Sequence, residues 1–256
     1  MEDAISLKSA AGIGRITIRR PERRNAMSRA MWRRLAEVLA QAEADAAIAV
    51  LLLVGEGGHF CAGADISEFA ATYADPATAE AANAEIAAAV AALAAFPRPT
   101  IAAISGACVG GGVSLALACD LRIADTSARF AITPAKLGLI YSHADTQRLV
   151  RAVGVARAKE LLFTGRMLGA EEAERIGLIT TLAADAAAAA AEAAAQLASA
   201  SRPALRAIKR MVEDVAAGVP EGPEHRALFA AAFRSEDFAE GRDAFLARRP
   251  PRFRAP

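Results

Sequence analysis

The sequence predicts an α/β fold, with a core of repeated strand and helix units followed by a helical C-terminal region. Two observations support this prediction. Apolar runs at 48–54 and 100–104 are rich in Leu, Ile, Val and Ala, and such unbroken runs are typical of strands buried on both faces of a parallel sheet. From about residue 146 onward, helical spacing dominates. Strand and helix alternation that gives way to helices indicates an α/β core with a helical end.

The composition limits the classes of function. The 256 residues carry 30 Lys and Arg against 29 Asp and Glu, a net charge of +1, which argues against a general nucleic-acid binder. No apolar run approaches the roughly 20 residues that span a bilayer, and the N-terminus lacks the pattern of a secretory leader. We therefore expect a soluble, cytoplasmic protein with no membrane partner.

The Cys and His residues lack the spacing of a disulfide framework or a metal site, so we expect neither disulfides nor a bound metal. These residues are Cys61, Cys108, Cys119, His59, His143 and His225.

The first elements follow from local patterns. Short apolar runs predict strands at 4–7 and 14–18. Ser28 is a suitable N-cap for a helix over 29–43, whose apolar positions follow helical spacing. The run at 48–54 is the next strand.

A glycine-rich loop at 55–65 follows that strand, and we predict helices at 66–73 and then from residue 76 to Phe96. Two prolines end the second helix before the strand at 100–104.

The C-terminal half is predicted as helices, with a strand at 121–124 before them and a short strand at 178–181 among them. The predicted helices cover 113–119, 146–153, 155–163, 170–176, 185–197, 203–217, 222–233 and 235–248.

Three consecutive glycines, Gly110, Gly111 and Gly112, join the strand at 100–104 to the helix at 113–119. Glycines at a strand-to-helix junction leave backbone N–H groups unobstructed near a helix N-terminus, which suits an anion or oxyanion. A tight turn packed against another backbone explains the same residues, and the triplet alone leaves both interpretations open.

Three segments, in order, resemble the signatures of the enoyl-CoA hydratase/isomerase (crotonase) superfamily. They are RPERRNAMS at 20–28, FCAGADI at 60–66 and GACVGGG at 106–112. Shorter matches at 164–166, 170–173, 177–179 and 235–242 continue the resemblance over nearly the whole chain. Several motifs in register are far more specific than any one of them.

The resemblance implies a crotonase-like ββα superhelix over 1–195 and a C-terminal helical trimerisation region over 196–256. It also implies a homo-oligomer, either a trimer or a dimer of trimers, and an acyl-CoA thioester as substrate. Coenzyme A then enters as part of the substrate, and no separate cofactor is expected.

The same resemblance implies that the backbone N–H groups of Ala64 and Gly111 form an oxyanion hole for the thioester oxygen. It also implies further residues that contact coenzyme A. For two of them, Arg24 and Arg248, an ordinary solvated surface charge is an equally good explanation. These candidates are Arg24, Ala62, Asp65, Ile66, Ser67 and Arg248.

The chain departs from the family at two positions that carry Glu in its hydratases. Ser114 stands two residues after the glycine triplet, and Pro134 stands in the later Phe-containing stretch. Neither side chain can act as a carboxylate base, which argues against hydration by a two-Glu mechanism.

The stretch from Phe130 to Tyr141 is similar to the methylmalonyl-CoA decarboxylase branch of the superfamily. This similarity implies a reaction that needs no base, in which the oxyanion hole holds the enolate as CO2 leaves. Thr133 and Tyr141 would then contact the acyl group. The matching residues are Phe130, Thr133, Pro134, Leu137, Gly138 and Tyr141.

Other interpretations remain open. Glu68 could serve as the base of an isomerase, or it could be an ordinary exposed helix carboxylate. His143 and Asp145 could form an acid/base pair. The preferred interpretation of Asp145 is an N-cap for a helix that begins at Thr146.

Two further classes of function are compatible with the sequence. The segment from Gly112 to Ala116 resembles a G-x-S-x-G nucleophile elbow without its last glycine, which suggests a serine hydrolase using Ser114 with His143 or His225. Short motifs of this kind carry a high false-positive risk. A non-catalytic acyl-CoA-binding protein is the other alternative.

Overall fold

Nine strands form two sheets in the part of the chain, residues 4–253, that the computed structural model describes. Residues 1–3 and 254–256 lie outside this range. The N-terminal segment that is expected to lack a secretory leader therefore falls partly outside the described residues. The strands are β1 (Ile5–Ala10), β2 (Ile13–Ile18), β3 (Val50–Gly55), β4 (Thr100–Ile104), β5 (Ala107–Val109), β6 (Leu121–Asp125), β7 (Arg129–Ala131), β8 (Leu168–Gly169) and β9 (Thr181–Ala183).

Ten α-helices complete the described range, with 3-10 turns at Pro21–Arg23, Ile66–Glu68 and Pro134–Leu137. They are α1 (Arg29–Ala44), α2 (Phe69–Thr72), α3 (Pro76–Ala94), α4 (Gly111–Ala118), α5 (His143–Thr164), α6 (Ala170–Arg175), α7 (Ala186–Ala198), α8 (Arg202–Ala216), α9 (Pro223–Ala232) and α10 (Glu236–Leu246).

The large sheet has the strand order β1-β2-β3-β4-β6-β9, with β1 antiparallel to β2 and every other pair parallel. Alternate residues of β3 face opposite sides, as strand geometry requires. Leu51 and Leu53 belong to the main core with α1, α3 and α4, whereas Val50 and Leu52 pack against α7. The α/β prediction with a helical C-terminal region is confirmed, and the division at residue 195 stays a prediction.

A second sheet, in the order β5-β7-β8, is absent from the sequence-based prediction. Its strands are two or three residues long, too short for a period-2 pattern to reveal them. Strand β5 leads directly into the glycine triplet, so this sheet fixes one side of the site.

The break in α5 and the cap of α1 agree with the prediction, whereas the helix predicted at 66–73 does not. The two helices predicted at 146–153 and 155–163 are two segments of α5 that meet at Gly154, whose φ of +77° and ψ of 164° are not helical. The helix predicted at 66–73 is a 3-10 turn followed by the four-residue α2. Ser28 caps α1 as predicted, since its hydroxyl accepts from the Met31 N–H at 3.3 Å.

Candidate active site

Two backbone segments meet beyond the carboxyl ends of β3 and β4, where parallel α/β sheets commonly bind ligands. The Cys61 N–H donates to the Ala107 carbonyl at 2.9 Å, and the Val109 N–H donates to the Cys61 carbonyl at 3.0 Å. The approach is so close that a Cβ atom on Gly112 would lie 2.1 Å from the Cys61 carbonyl oxygen. The glycine at 112 is therefore required by backbone contact.

Ala64 lies in the first of these segments, beside Met27. The Met27 N–H donates to the Gly63 carbonyl at 2.7 Å, and the Asp65 N–H donates to the Met27 carbonyl at 2.9 Å. The neighbours of Ala64 are thus fixed on both sides. The Ala64 N–H itself has no acceptor within residues 4–253.

Gly111 begins α4 in the second segment. Gly110 before it has φ of +52°, a value that favours glycine, and its N–H donates to the Ala131 carbonyl at 2.8 Å. The first N–H groups of a helix lack internal acceptors, and the Gly111 N–H has none in the described range. A Cβ on Gly111 would lie 3.7 Å from the Ala64 nitrogen, so the two free N–H groups are neighbours.

Ser114 and Tyr141 form a hydroxyl pair on the other side of the glycine triplet. Their oxygens are 2.8 Å apart, and the Tyr141 hydroxyl also lies 3.4 Å from the Gly110 carbonyl. Burial raises the pKa of the Tyr141 phenol, and the nearby Asp145 carboxylate raises it further, so the phenol is neutral near pH 7. Thr133 and Pro134 are half-buried in the turn that precedes Tyr141.

The Asp65 carboxylate is fully engaged by its own loop. One oxygen accepts from the Ser67 hydroxyl at 2.6 Å and from the Ser67 N–H at 3.0 Å, and the other accepts from Arg20 at 2.6 Å. These bonds, led by that from the Ser67 hydroxyl, lower the pKa of Asp65. Asp65 thus shapes the Ala64 loop, and Arg20 is a contributor that the sequence analysis missed.

The remaining candidates for coenzyme A contacts lie at or near the surface. Ile66 is 60% exposed, and Ser67 and both arginines are exposed as well. The Arg24 carbonyl accepts from the Ala62 N–H at 3.0 Å. The guanidinium groups of Arg24 and Arg248 have no partner within the described residues.

The interpretation of Asp145 as an N-cap is wrong. Helix α5 begins at His143, three residues earlier than predicted, and Ser142 is its N-cap, accepting from the Asp145 N–H at 3.1 Å. Both residue types are good caps, and here the earlier one prevails. The Asp145 carboxylate pairs with Arg148 at 3.0 Å, and His143 is exposed without a hydrogen bond to it.

No imidazole contacts the Ser114 hydroxyl within residues 4–253. His225 lies in α9, where Nδ1 accepts from the Gly222 N–H at 2.8 Å and Nε2 lies 3.1 Å from Asp214. A serine hydrolase built on Ser114 therefore lacks its base.

A narrow cavity beside Ala64 brings in two further residues. Its volume is about 30 Å³, and its walls include Trp32, Glu68 and Phe69. Glu68 is half-buried, and one of its oxygens accepts from the Arg29 N–H at the start of α1 at 2.8 Å. The sequence analysis did not identify Trp32 as a site residue, because a helical apolar pattern does not distinguish a core tryptophan from one beside a site.

Residues 4–253 contain neither a candidate membrane span nor a candidate metal cluster. No helix there is both long and apolar enough to cross a membrane. No group of three or more His, Cys, Asp or Glu side chains is placed to hold a metal ion.

Known proteins are similar to this chain over nearly its whole length. The family model described as enoyl-CoA hydratase/isomerase matches residues 8–256. A Mycobacterium leprae protein named probable enoyl-CoA hydratase is 37% identical over 256 residues, with 98% of each chain covered. The human mitochondrial enoyl-CoA hydratase domain-containing protein 2 is 40% identical, over 94% of this chain and 85% of that protein.

Solved structures of proteins from that family have the same fold. A crystal structure of an enoyl-CoA hydratase/isomerase family protein from Hyphomonas neptunium has a TM-score of 0.95 and 45% identity, covering 99% of this chain and 98% of that one. The enoyl-CoA hydratase of Bacillus anthracis has a TM-score of 0.90 and 32% identity, over 99% of this chain and 100% of that one.

Proposed function

This chain belongs to the enoyl-CoA hydratase/isomerase family, whose members act on acyl-CoA thioesters, and we propose that it stabilises a thioester enolate. The Ala64 and Gly111 N–H groups form its oxyanion hole. The supporting observation is that these neighbouring N–H groups lack acceptors among residues 4–253, while the backbone around each is hydrogen-bonded. Such preorganised donors favour a developing oxyanion by about 3 kcal/mol each.

The reaction that follows is decarboxylation of a carboxyacyl-CoA. Ser114, whose hydroxyl is hydrogen-bonded to the neutral Tyr141 phenol, and Pro134 occupy the two positions at which a hydratase of this family carries Glu. A carboxylate there would repel the substrate carboxylate, and decarboxylation needs no base to remove a proton.

The decarboxylation requires no cofactor. The bond between Cα and the carboxylate carbon breaks, and its electron pair passes to Cα and the thioester oxygen held by Ala64 and Gly111. CO2 leaves, and the enolate takes a proton at Cα that comes from water. Thr133 and Tyr141 contact the acyl group and hold its carboxylate out of the thioester plane.

Coenzyme A lies along the Ala64 loop in this proposal, past Ala62, Ile66 and Ser67. Arg24 and Arg248 attract its phosphates, since both guanidinium groups are exposed and have no partner in the described range. Asp65 contributes by holding the loop.

A second reaction, isomerisation of an enoyl-CoA, is favoured by one observation. Glu68 lines the cavity beside Ala64, and one of its oxygens makes no hydrogen bond within residues 4–253, so it can take and return a proton. The Asp65 carboxylate beside it is occupied by Arg20 and Ser67.

A panel of CoA thioesters tests these reactions, with products identified by mass spectrometry. We expect CO2 release from methylmalonyl-CoA or ethylmalonyl-CoA, and loss of that release in Gly111→Pro, which lacks one oxyanion donor. Glu68→Gln should leave decarboxylation intact, and it should abolish any conversion of 3-enoyl-CoA to 2-enoyl-CoA. Circular dichroism of both variants controls for folding.

Two alternative functions predict different results in the same panel of CoA thioesters. Robust hydration of crotonyl-CoA would overturn the argument from Ser114 and Pro134 and would mean a non-standard hydratase site. Tight binding of CoA thioesters with no turnover across the panel would identify a non-catalytic binding protein.

Oligomerisation through the C-terminal helices is part of the proposal. Large apolar side chains there are exposed in the single chain, which favours burial against further copies. They include Val215, Val219, Phe229, Phe233, Phe245 and Leu246. A trimer or a dimer of trimers in the cytoplasm is the expected state.

A further inference from the structure

His59 joins the two backbone segments that lead to the oxyanion hole. It is half-buried in the loop after β3, shortly before Ala64. Its Nδ1 atom accepts a hydrogen bond of 3.1 Å from the N–H of Ala107, the first residue of β5. Strand β5 runs into the glycine triplet that contains Gly111. One side chain thus connects the segments whose N–H groups form the proposed hole.

The imidazole replaces a main-chain acceptor. The Cys61 N–H donates to the Ala107 carbonyl, and the Val109 N–H donates to the Cys61 carbonyl, in the pattern of a parallel ladder. Continued regularly, that pattern would pair the Ala107 N–H with the His59 carbonyl. This carbonyl instead accepts from the buried Asn25 amide at 2.6 Å, and the His59 ring accepts from Ala107. The ring therefore extends the ladder between the two segments by one bond.

The surrounding backbone leaves room for the ring and fixes its loop. A Cβ on Gly106 would lie 2.4 Å from Nδ1 of His59, so the residue before β5 must be glycine for the ring to reach Ala107. The Asn25 amide that holds the His59 carbonyl also donates to the Glu56 carbonyl at 2.8 Å. The loop that carries the imidazole is thus held in place independently of the bond to Ala107.

The bond to Ala107 fixes the tautomer of the ring. A backbone N–H can only donate, so Nδ1 must have a free lone pair, and a neutral imidazole then carries its hydrogen on Nε2. Nε2 makes no hydrogen bond within residues 4–253. Among the described residues, the ring therefore makes its polar contact to β5 alone.

We propose that His59 is a positioning residue for the oxyanion hole and acts through the hydrogen bond from the Ala107 N–H. The bond keeps β5, and with it the Gly111 N–H, in register with the loop that carries the Ala64 N–H. Two donors stabilise a developing oxyanion only when both point at it, so a loss of register weakens that stabilisation. This inference rests on the proposed oxyanion hole, but it does not depend on which bond of the substrate breaks.

Nuclear magnetic resonance of the unmodified protein tests the hydrogen bond. The chain has three histidines, so a two-bond ¹H–¹⁵N spectrum near pH 8 shows three imidazoles. The set of signals that is lost in His59→Asn belongs to His59. We expect this ring to carry its hydrogen on Nε2. A ring with its hydrogen on Nδ1 would overturn the proposal, because it could not accept from Ala107.

Infrared difference spectroscopy of bound butyryl-CoA, labelled with ¹³C at the thioester carbonyl, tests the hole itself. Hydrogen bonds from Ala64 and Gly111 lower the stretching frequency of this carbonyl. His59→Leu removes the acceptor for Ala107, and we expect a smaller decrease in that frequency. With a thioester of the panel that is turned over, kcat should fall about fivefold while KM changes less than about twofold.

Two amide variants test whether the position of the acceptor matters. Asn carries its oxygen on Cγ, as His carries Nδ1, so His59→Asn should restore the wild-type frequency and kcat. The oxygen of Gln lies one bond further out, so His59→Gln should behave like His59→Leu. Thr180→Val is the matched control, because it removes a side-chain acceptor from the Arg122 N–H of β6 at 3.0 Å. It should lower stability in urea and leave the carbonyl frequency unchanged.

The results distinguish failure of the His59 role from failure of the oxyanion hole. If wild type lowers the carbonyl frequency and every His59 variant does so equally, the role of His59 is refuted and the hole stands. A change in His59→Leu that His59→Asn does not restore also refutes it. If no CoA thioester binds to wild type, or its carbonyl frequency is not lowered, the hole and the role of His59 both fail. Should His59→Leu not fold, the comparison of His59→Asn with His59→Gln decides.

Discussion

Asp65 stabilises the loop of Ala64 through charge-assisted hydrogen bonds. The Arg20 guanidinium and the Ser67 hydroxyl both bind its carboxylate at 2.6 Å, and the Asp65 side chain is 8% exposed. Because these bonds lower the pKa of Asp65 in the folded chain, its contribution to stability is present above the unfolded value of 3.8. It is lost as pH falls through the lower, folded-state pKa.

Asp65→Asn should reduce the free energy of unfolding by about 1–2 kcal/mol near pH 7, because the charged pair with the partly exposed Arg20 is lost. The difference from wild type should shrink as pH falls below about 4. Urea denaturation over this pH range measures both effects. Glu80→Gln, at an exposed carboxylate without a hydrogen bond in the described range, is the control and should change little at any pH. A difference that persists undiminished at low pH would contradict the argument.

Residues of the site were predictable to different degrees. Ala64 and Gly111 could be placed by motif, because glycine-rich turns leave a clear sequence signal. The sequence also showed that Ser114 is no carboxylate, but the hydrogen bond to Tyr141 joins residues 27 positions apart and has no local pattern. Trp32 was missed for the same reason, since its neighbours Ala64 and Gly111 come from other segments of the chain.

At the level of elements, the site depends on the contact between the loop after β3 and the segment formed by β5 and α4. Backbone bonds between Cys61 and the residues flanking Cys108 hold the two together. Only glycine at 112 permits this close approach, because a Cβ there would overlap the Cys61 carbonyl oxygen. Helix α4 would otherwise be displaced together with the Gly111 N–H.

Gly112→Ala should lower the free energy of unfolding by about 3 kcal/mol, since its Cβ meets backbone rather than a movable side chain. Chemical denaturation measures this change. The affinity of the folded fraction for butyryl-CoA tests whether displacement of the Gly111 N–H weakens the proposed oxyanion hole. Gly169→Ala is the matched control, because a Cβ there meets nothing within 4 Å and φ is −82°. Its free energy of unfolding should stay within about 0.5 kcal/mol of wild type. Equal stability of the two variants would refute the required close approach.

Element prediction from sequence succeeded where patterns were long and failed where they were short. The cap at Ser28 and the buried strand β4 follow from residue types that act locally. Strand β5, with three residues, is specified by pairing with β7. The interruption of α5 at Gly154 was predicted, because glycine readily adopts the positive φ found there.

On the scale of the whole molecule, the C-terminal helices leave apolar surface uncovered. No residue of α8 is buried in the single chain, and Val215 and Phe229 are 75% and 65% exposed. Large exposed apolar patches mark interaction sites in soluble proteins. Association of identical chains through this surface would remove it from water.

Light scattering coupled to gel filtration should give a mass that is three or six times the 26.5 kDa of one chain. The double variant Val215→Asp and Phe229→Asp should shift the mass toward a single chain, because charge would be buried in an apolar interface. Ala40→Asp, an exposed change on α1, is the control and should keep the wild-type mass. A wild-type mass of 26.5 kDa at micromolar concentration would refute the assembly.

The two proposed oxyanion donors are main-chain atoms, and this has an evolutionary consequence. A point mutation replaces a side chain but leaves the amide in place unless it introduces proline. Single substitutions at positions 64 and 111 can therefore alter the surroundings of the hole while keeping its donors. Positions 114 and 134, by contrast, contribute through side chains that any mutation replaces. Lineages with this architecture can exchange one reaction for another while the capacity to hold the common intermediate is inherited unchanged.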